Sequence, residues 1–171
     1  SLTQEPSRSA TFYALKMAKE MGKIISYDPN YRALLWDSKE QAMDGMKSPL
    51  AYVDVMKLSD EETELLTGIK DAEGAAKALL AKGVSIVAVT LGADGAYICN
   101  QEGGVHVPGF KSDVVDTTGA GDAFWGGFLY QLSKSRKRPQ EISLDEAKEF
   151  ARFGNAVASL CVEKRGGIPA I

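Results

Sequence analysis

Apolar residues along the chain follow two alternating patterns, one with the spacing of helices and one with that of strands. Helices are predicted over 7–21, 38–47, 59–67, 71–82, 120–133 and 143–163. Strands are predicted over 23–27, 52–58, 84–90, 96–99 and 105–110, and a further strand is predicted to end over 113–116. This alternation predicts an α/β fold with a doubly wound, mostly parallel sheet and helices on both faces.

The strand over 84–90 is almost entirely apolar, as expected of a central strand that is covered on both faces. The strands 96–99 and 105–110 flank a glycine-containing loop over 100–104, which predicts a C-terminal β-hairpin. No internal repeat, low-complexity stretch or distinct linker interrupts the chain. We therefore expect residues 1–171 to form one domain.

Composition excludes several classes of protein. Hydrophobic residues make up 44% and charged residues 25%, and the net charge is −3, which disfavours a nucleic-acid binder. The basic residues over 134–138 fit a solvated loop. No apolar run is long enough for a membrane span, and no leader is recognised. Cys99 and Cys161 have no metal-type spacing and are interpreted as free thiols, so we expect a cytoplasmic protein.

The most informative stretch is Asp116–Phe124, which reads DTTGAGDAF. Apolar residues recur every fourth position from 120 to 132, so Gly119, Ala120 and Gly121 lie at the first turn of a helix. Backbone amides there have no intrahelical acceptor, and small residues let an anion approach them. Asp122 adds a carboxylate beside this anion site. An acid in the first turn is commonly a simple cap, but a carboxylate beside a phosphate also suits phosphoryl transfer to a hydroxyl.

All nine residues of this stretch resemble the C-terminal signature of the ribokinase-like (PfkB) carbohydrate kinases. The resemblance implies the ribokinase-like fold, with Gly119, Ala120 and Gly121 as the anion hole and Asp122 as the base. It also implies ATP and Mg²⁺ as cofactors. It extends from about residue 2 to the end and matches only the C-terminal half of such kinases. We therefore expect the N-terminal half and its β-sheet lid to be missing and this piece alone to be inactive, with dimerisation of the full-length protein through that lid.

A second segment, Asp28-Pro29-Asn30-Tyr31-Arg32, follows a predicted strand. Taken alone it is a common turn, because proline favours an extended residue before it. Together with Leu34-Leu35-Trp36 it resembles the Asp-Pro-Asn-x-Arg…Leu-Trp segment of fructokinases, and a related segment occurs in ketodeoxygluconate kinases. The resemblance makes Arg32 a phosphate contact, since a guanidinium matches phosphate oxygens.

Glu62 has two interpretations. In Ser59-Asp60-Glu61-Glu62 it completes a capping box by reaching back to the Ser59 amide. It also matches the glutamate of the Asn-x-x-Glu motif that organises Mg²⁺ through water in these kinases, although Ser59 stands where that motif has Asn. The two roles are not exclusive.

The nucleotide site is expected at two places. Thr90, Gly92 and Gly95 have the spacing of the family's Thr-x-Gly-x-x-Gly loop, although two such glycines also suit a tight turn. The resemblance places Asn155 beside the adenine. His106 has no second histidine or cysteine nearby and is interpreted as a surface strand residue.

A monovalent cation, K⁺, is also implied by the resemblance. The region of Asp116 and Thr118 would bind it together with the closing segment 166–169.

The function hypothesis is ATP-dependent phosphorylation of a sugar hydroxyl, with fructose as the substrate. Two alternatives stay open. One is a kinase for another small sugar or sugar acid, such as ribose or 2-keto-3-deoxygluconate. The other is that this piece is a non-catalytic nucleotide-binding unit, because phosphoryl transfer without a lid risks hydrolysis.

Overall fold

One five-stranded sheet organises the computed structural model, which describes residues 2–167. The strands are β1 (Ser26–Tyr27), β2 (Val55–Ser59), β3 (Ile86–Thr90), β4 (Ala96–Asn100) and β5 (Gly103–Val107), in that spatial order. β1, β2 and β3 are parallel, whereas β4 and β5 add an antiparallel hairpin beside β3. The connection between β4 and β5 is too short for a parallel crossover, which requires a dozen or more residues. The predicted α/β class is confirmed.

Six helices surround the sheet within the described residues. They are α1 (Ser7–Glu20), α2 (Lys39–Lys47), α3 (Asp60–Thr67), α4 (Ala72–Leu80), α5 (Ala120–Ser135) and α6 (Leu144–Cys161). Side-chain caps explain several starts: Ser38 Oγ accepts from the Gln41 amide, and Ser143 Oγ accepts from the Glu146 amide. All six predicted helices are present, with ends that differ by a few residues.

Two apolar cores lie on opposite faces of the sheet because successive strand residues point to opposite sides. Met56 and Leu58 of β2 pack with α2, α3 and α4, whereas Val55 packs with α5 and α6. β3 alternates in the same way and is buried on both faces, as predicted, although its second neighbour is antiparallel. The helices α5 and α6 approach closely: a Cβ on Gly154 would lie 2.6 Å from the Phe124 carbonyl oxygen.

Some strand predictions were wrong. Residues 113–116 are not in the sheet; Val114 and Val115 are exposed, and the amides of Val115 and Asp116 donate to the Val162 carbonyl oxygen after α6. This segment does not reach the sheet, and the end of α6 supplies its acceptor instead. The strand predicted over 23–27 pairs only at Ser26 and Tyr27.

The helices of the described region do not fit a bilayer span. Within residues 2–167 none is both long enough and apolar enough to cross a membrane. The longest, α6, has 18 residues, and its first half carries acidic and basic side chains.

Candidate active site

The predicted site residues meet at the edge of the sheet where the parallel strands end. Asp28 and Arg32 follow β1, Glu62 follows β2, and Thr90 ends β3. The start of α5 reaches the same edge, because the Lys57 ammonium nitrogen near the end of β2 lies 3.0 Å from where a Cβ on Gly121 would be. Ligands of open α/β sheets bind at this edge.

The first turn of α5 offers free backbone donors. Gly119, at the N-cap, has a φ of 82°, a left-handed conformation that favours glycine. Among residues 2–167 the amides of Gly119, Gly121 and Asp122 have no hydrogen-bond acceptor, whereas the Ala120 amide donates to the Thr117 carbonyl oxygen at 3.1 Å. The helix dipole adds positive potential at these amides. The turn therefore suits an oxyanion, with Ala120 contributing its small size rather than its N–H group.

Asp122 is exposed, and within the described region its carboxylate forms neither an ion pair nor a hydrogen bond. A carboxylate with free lone pairs beside unpaired amides can accept a proton from a hydroxyl while those amides bind an anion. The Asp122 side chain caps none of these amides, and its role as a general base stays a prediction.

Asp116, in the loop before α5, has a different role from Asp122. Its Oδ1 accepts from the Thr118 amide and its Oδ2 from the Gly166 amide, each at 2.9 Å. These backbone hydrogen bonds lower the pKa of Asp116 to about 2. The two hydrogen bonds of Asp116 bring the Thr118 turn and Gly166 together, as a shared cation site requires. Binding of K⁺ at this place stays a prediction. Ile168 and Pro169, which were also expected at the cation site, lie outside the described residues.

An ion pair that was not predicted from the sequence lies next to the first turn of α5. The Lys57 ammonium donates to Asp28 Oδ2 at 2.9 Å, and Lys57 is only 6% exposed. Burial raises the pKa of the Asp28 carboxyl, and the Lys57 charge opposes part of that rise. The detectable signal was a lysine between Met56 and Leu58, in a strand whose other residues are apolar up to Ser59.

Glu62 connects the loops after β1 and β2. It is 5% exposed; its Oε2 accepts from the Ser59 amide at 2.8 Å and its Oε1 from the Tyr31 amide at 2.6 Å. The capping interpretation is therefore confirmed for the glutamate, although the Ser59 side chain forms no capping bond. The contact with Tyr31 holds the loop that contains Arg32.

A magnesium site built from protein side chains does not fit these residues. In the part of the chain that the structure describes, no three His, Cys, Asp or Glu side chains are grouped to hold a metal ion. Both Glu62 oxygens already accept backbone hydrogen bonds. Mg²⁺ commonly binds through phosphate oxygens and water, which needs no such cage.

We expect Glu62→Gln to lower the free energy of unfolding of the full-length protein by about 1–3 kcal/mol, because the glutamine has a single acceptor oxygen and leaves one of the two partly buried amides, of Ser59 or Tyr31, unpaired. Urea unfolding measures this change. The exposed neighbour Glu61 supplies the control, and Glu61→Gln should have little effect. Unchanged stability together with a tenfold or larger rise in the Mg²⁺ concentration for half-maximal activity would instead indicate a metal role.

Arg32 lies in a loop held on both sides. Asp28 Oδ1 accepts from the Asn30 amide at 3.2 Å, and Glu62 holds the Tyr31 amide. The Arg32 side chain is exposed and donates only its Nη1 to the Tyr31 carbonyl oxygen among residues 2–167. The remaining donors can reach an anion, so the phosphate role of Arg32 stays a prediction.

The loop after β3 is a tight turn. Gly92 and Gly95 have φ values of 59° and 94°, and the Leu91 amide donates to the Gly95 carbonyl oxygen at 2.8 Å. A Cβ on Gly95 would lie 2.2 Å from the Val107 carbonyl oxygen, so only glycine fits. Thr90 Oγ1 donates to the Leu58 carbonyl oxygen at 3.4 Å. The turn interpretation is confirmed, and nucleotide binding by this loop stays a prediction.

Asn155 is buried and holds the backbone after β5. Its Nδ2 donates to the carbonyl oxygens of Val107 and Pro108 at 3.0 and 3.1 Å. Both N–H groups are then used, which leaves no side-chain donor for an adenine. His106 is exposed on β5, as predicted, and its Nε2 contacts the Asp94 carbonyl oxygen at 2.8 Å.

The amino-acid sequence of the chain is similar to those of known fructokinases. "Probable fructokinase-5" of Arabidopsis thaliana and "Fructokinase-2" of Zea mays are 39% and 40% identical to the chain over its whole length. The chain spans about half the length of these curated relatives, 52% and 51%.

The fold of the chain is also similar to solved structures of such kinases. A fructokinase double mutant from Vibrio cholerae O395, with fructose, ADP and potassium ion bound, superposes with a TM-score of 0.90 at 33% identity, over 99% of this chain and 54% of its own. Aminoimidazole riboside kinase from Salmonella enterica, complexed with aminoimidazole riboside and an ATP analogue, gives 0.85 at 32% identity, over 99% of this chain and 56% of its own. The family model described as pfkB family carbohydrate kinase matches residues 1–171. The chain therefore belongs to the pfkB family of carbohydrate kinases.

Proposed function

We propose that the full-length protein transfers the γ-phosphoryl group of ATP to a hydroxyl of fructose. The observation that supports this most is the first turn of α5, where the amides of Gly121 and Asp122 have no acceptor among residues 2–167 and the Asp122 carboxylate is unpaired beside them. An anion site and a proton acceptor on adjacent residues are what phosphoryl transfer to a hydroxyl requires.

In the proposed reaction, Asp122 orients the sugar hydroxyl and takes its proton. The sugar oxygen forms a bond to the γ-phosphorus, the bond from that phosphorus to the β–γ bridging oxygen breaks, and ADP leaves. The free amides stabilise the charge on the phosphoryl oxygens, which is spread over them in the transition state. Arg32 would contact another phosphate oxygen. Mg²⁺ would arrive with the ATP, because the described residues form no cage for it.

Fructose is proposed on the strength of relatives and neighbours named as fructokinases, one of which was solved with fructose and ADP bound. A second candidate substrate is a riboside, because the riboside kinase from Salmonella enterica superposes almost as well as the fructokinases do. Both candidates use the same chemistry at Asp122 and differ only in the group that presents the hydroxyl.

A sugar panel tests the proposal. The full-length protein is assayed with ATP and fructose, ribose, 2-keto-3-deoxygluconate or aminoimidazole riboside, and ADP release and the phosphorylated product are both measured. We expect the highest kcat/KM with fructose. The 171-residue chain alone, assayed in parallel, should release little product if a lid is needed to exclude water. ADP release that does not depend on any sugar would contradict the proposal.

A further inference from the structure

Lys57 occupies an unusual place for a lysine. It lies in β2 on the same face as Val55, the face that packs against α5 and α6. Only 6% of the residue is exposed, although lysine is rarely buried without a partner. In β3 the residue opposite Lys57 is Ala88, which is small and fully buried, so the long side chain runs through an apolar layer.

The ammonium group of Lys57 lies between two parts of the candidate site. It donates to Asp28 Oδ2 at 2.9 Å, at the start of the loop that holds Arg32. It also lies 3.0 Å from the position of a Cβ on Gly121, in the first turn of α5. Glycine at 121 leaves this space open. An ammonium has three donors, and within residues 2–167 the hydrogen bonds of Lys57 use one of them.

A purely structural ion pair is a weak explanation for this arrangement. Desolvating both charges costs about as much as their attraction returns, so apolar residues of similar size serve the core equally well. The pair stands instead beside unpaired backbone amides, where it adds a full positive charge to the partial charges of the helix start.

We infer that Lys57 donates a hydrogen bond to a non-bridging oxygen of the transferred phosphoryl group and that Asp28 holds the ammonium in position for this contact. The inference rests on the proposed phosphoryl transfer. Charge on the phosphoryl oxygens is stabilised best by a donor that is already in place and desolvated, and the Asp28 carboxylate keeps Lys57 in such a place.

The first test uses titration calorimetry to compare the affinities of the full-length protein for two nucleotides. Lys57→Met removes the positive charge and keeps most of the length of the side chain. Affinity for a non-hydrolysable ATP analogue should fall about 10- to 100-fold, the range for a charged hydrogen bond, whereas ADP affinity should change little. Lys19→Met is the matched control, since Lys19 of α1 also forms an ion pair, at 3.0 Å with Asp54, but its side chain is half exposed and its partner lies just before the start of β2, whereas Lys57 is near the end of that strand. It should leave both affinities unchanged.

The second test uses the double variant Lys57→Met/Asp28→Asn to distinguish a phosphate contact of Lys57 from a purely structural role of the ion pair. Asn keeps an acceptor for the Asn30 amide and removes the unpaired, partly buried charge that Lys57→Met alone leaves at Asp28. We expect the double variant to regain thermal stability relative to the single one while turnover stays about 10- to 100-fold low. Recovery of both stability and triphosphate affinity would overturn the inference.

These measurements also separate the inference from the proposed function. If the wild-type protein phosphorylates none of the sugars but Lys57→Met still weakens only the triphosphate analogue, the phosphate contact stands and the sugar-kinase proposal fails. If the wild-type protein is a sugar kinase and Lys57→Met weakens ADP and the analogue equally, the kinase proposal stands and the phosphoryl contact fails.

Discussion

Asp122→Asn should lower the turnover of the full-length protein by about 10²–10⁴-fold, because asparagine has almost the same size and cannot accept the hydroxyl proton. Stability should hardly change. The carboxylate is exposed and forms no ion pair within residues 2–167, so its loss costs little more than its interaction with the helix dipole. Turnover and the melting temperature are measured on the same sample.

The control for this variant is Asp145→Asn. Asp145 is an exposed acid in the first turn of α6, so it shares the helix-start environment of Asp122 but lies away from the site. Its replacement should leave turnover unchanged. Normal turnover with a lowered melting temperature in Asp122→Asn would show that Asp122 is a cap, as the simpler interpretation of the sequence holds.

Phe128→Ala should give the largest loss of stability, about 3–5 kcal/mol. Phe128 is fully buried in the middle of α5, stacked on Trp125 at 4.9 Å and in edge contact with Phe150 of α6 at 5.8 Å between ring centroids. Truncation leaves a cavity between the helix and the sheet. Urea unfolding of the full-length protein measures the change in free energy.

Tyr130→Ala is the matched control on the same helix. Tyr130 is 53% exposed; it stacks on the partly exposed Phe153 at 5.9 Å, and the Lys134 ammonium lies 5.6 Å from its ring centroid. Its truncation should therefore cost about 1–2 kcal/mol. A loss in Phe128→Ala no larger than in Tyr130→Ala would contradict the packing described for α5.

Local chemistry made most of the fold predictable. Helix starts follow from residues such as Ser38 and Ser143, whose hydroxyls cap the next turn, and these patterns are visible in the sequence. The segment with Val114 and Val115 was mispredicted because β-branched residues favour extended backbone whether or not a partner strand exists. Its partner is the Val162 carbonyl oxygen, far along the chain, which no local pattern reveals.

The site was predictable where its residues are contiguous and hidden where they are not. Asp122 and its glycines form one motif, so the anion site could be proposed from sequence alone. The pairing of Lys57 with Asp28 and the bond from the Tyr31 amide to Glu62 join residues about 30 positions apart. The side-chain amide of Asn155 likewise donates its hydrogen bonds to Val107 and Pro108, nearly 50 positions away. Such contacts depend on how strands are ordered, which spacing in the sequence does not encode.

A crystal structure of the full-length protein with ADP, fluoroaluminate and fructose tests the central claim most directly. Fluoroaluminate mimics the transferred phosphoryl group. We expect its fluorine atoms to accept from the Gly121 and Asp122 amides at about 2.7–3.1 Å, with the Asp122 carboxylate hydrogen-bonded to the sugar hydroxyl that points at aluminium. A fluoroaluminate bound away from the first turn of α5, or a sugar hydroxyl out of reach of Asp122, would contradict the account.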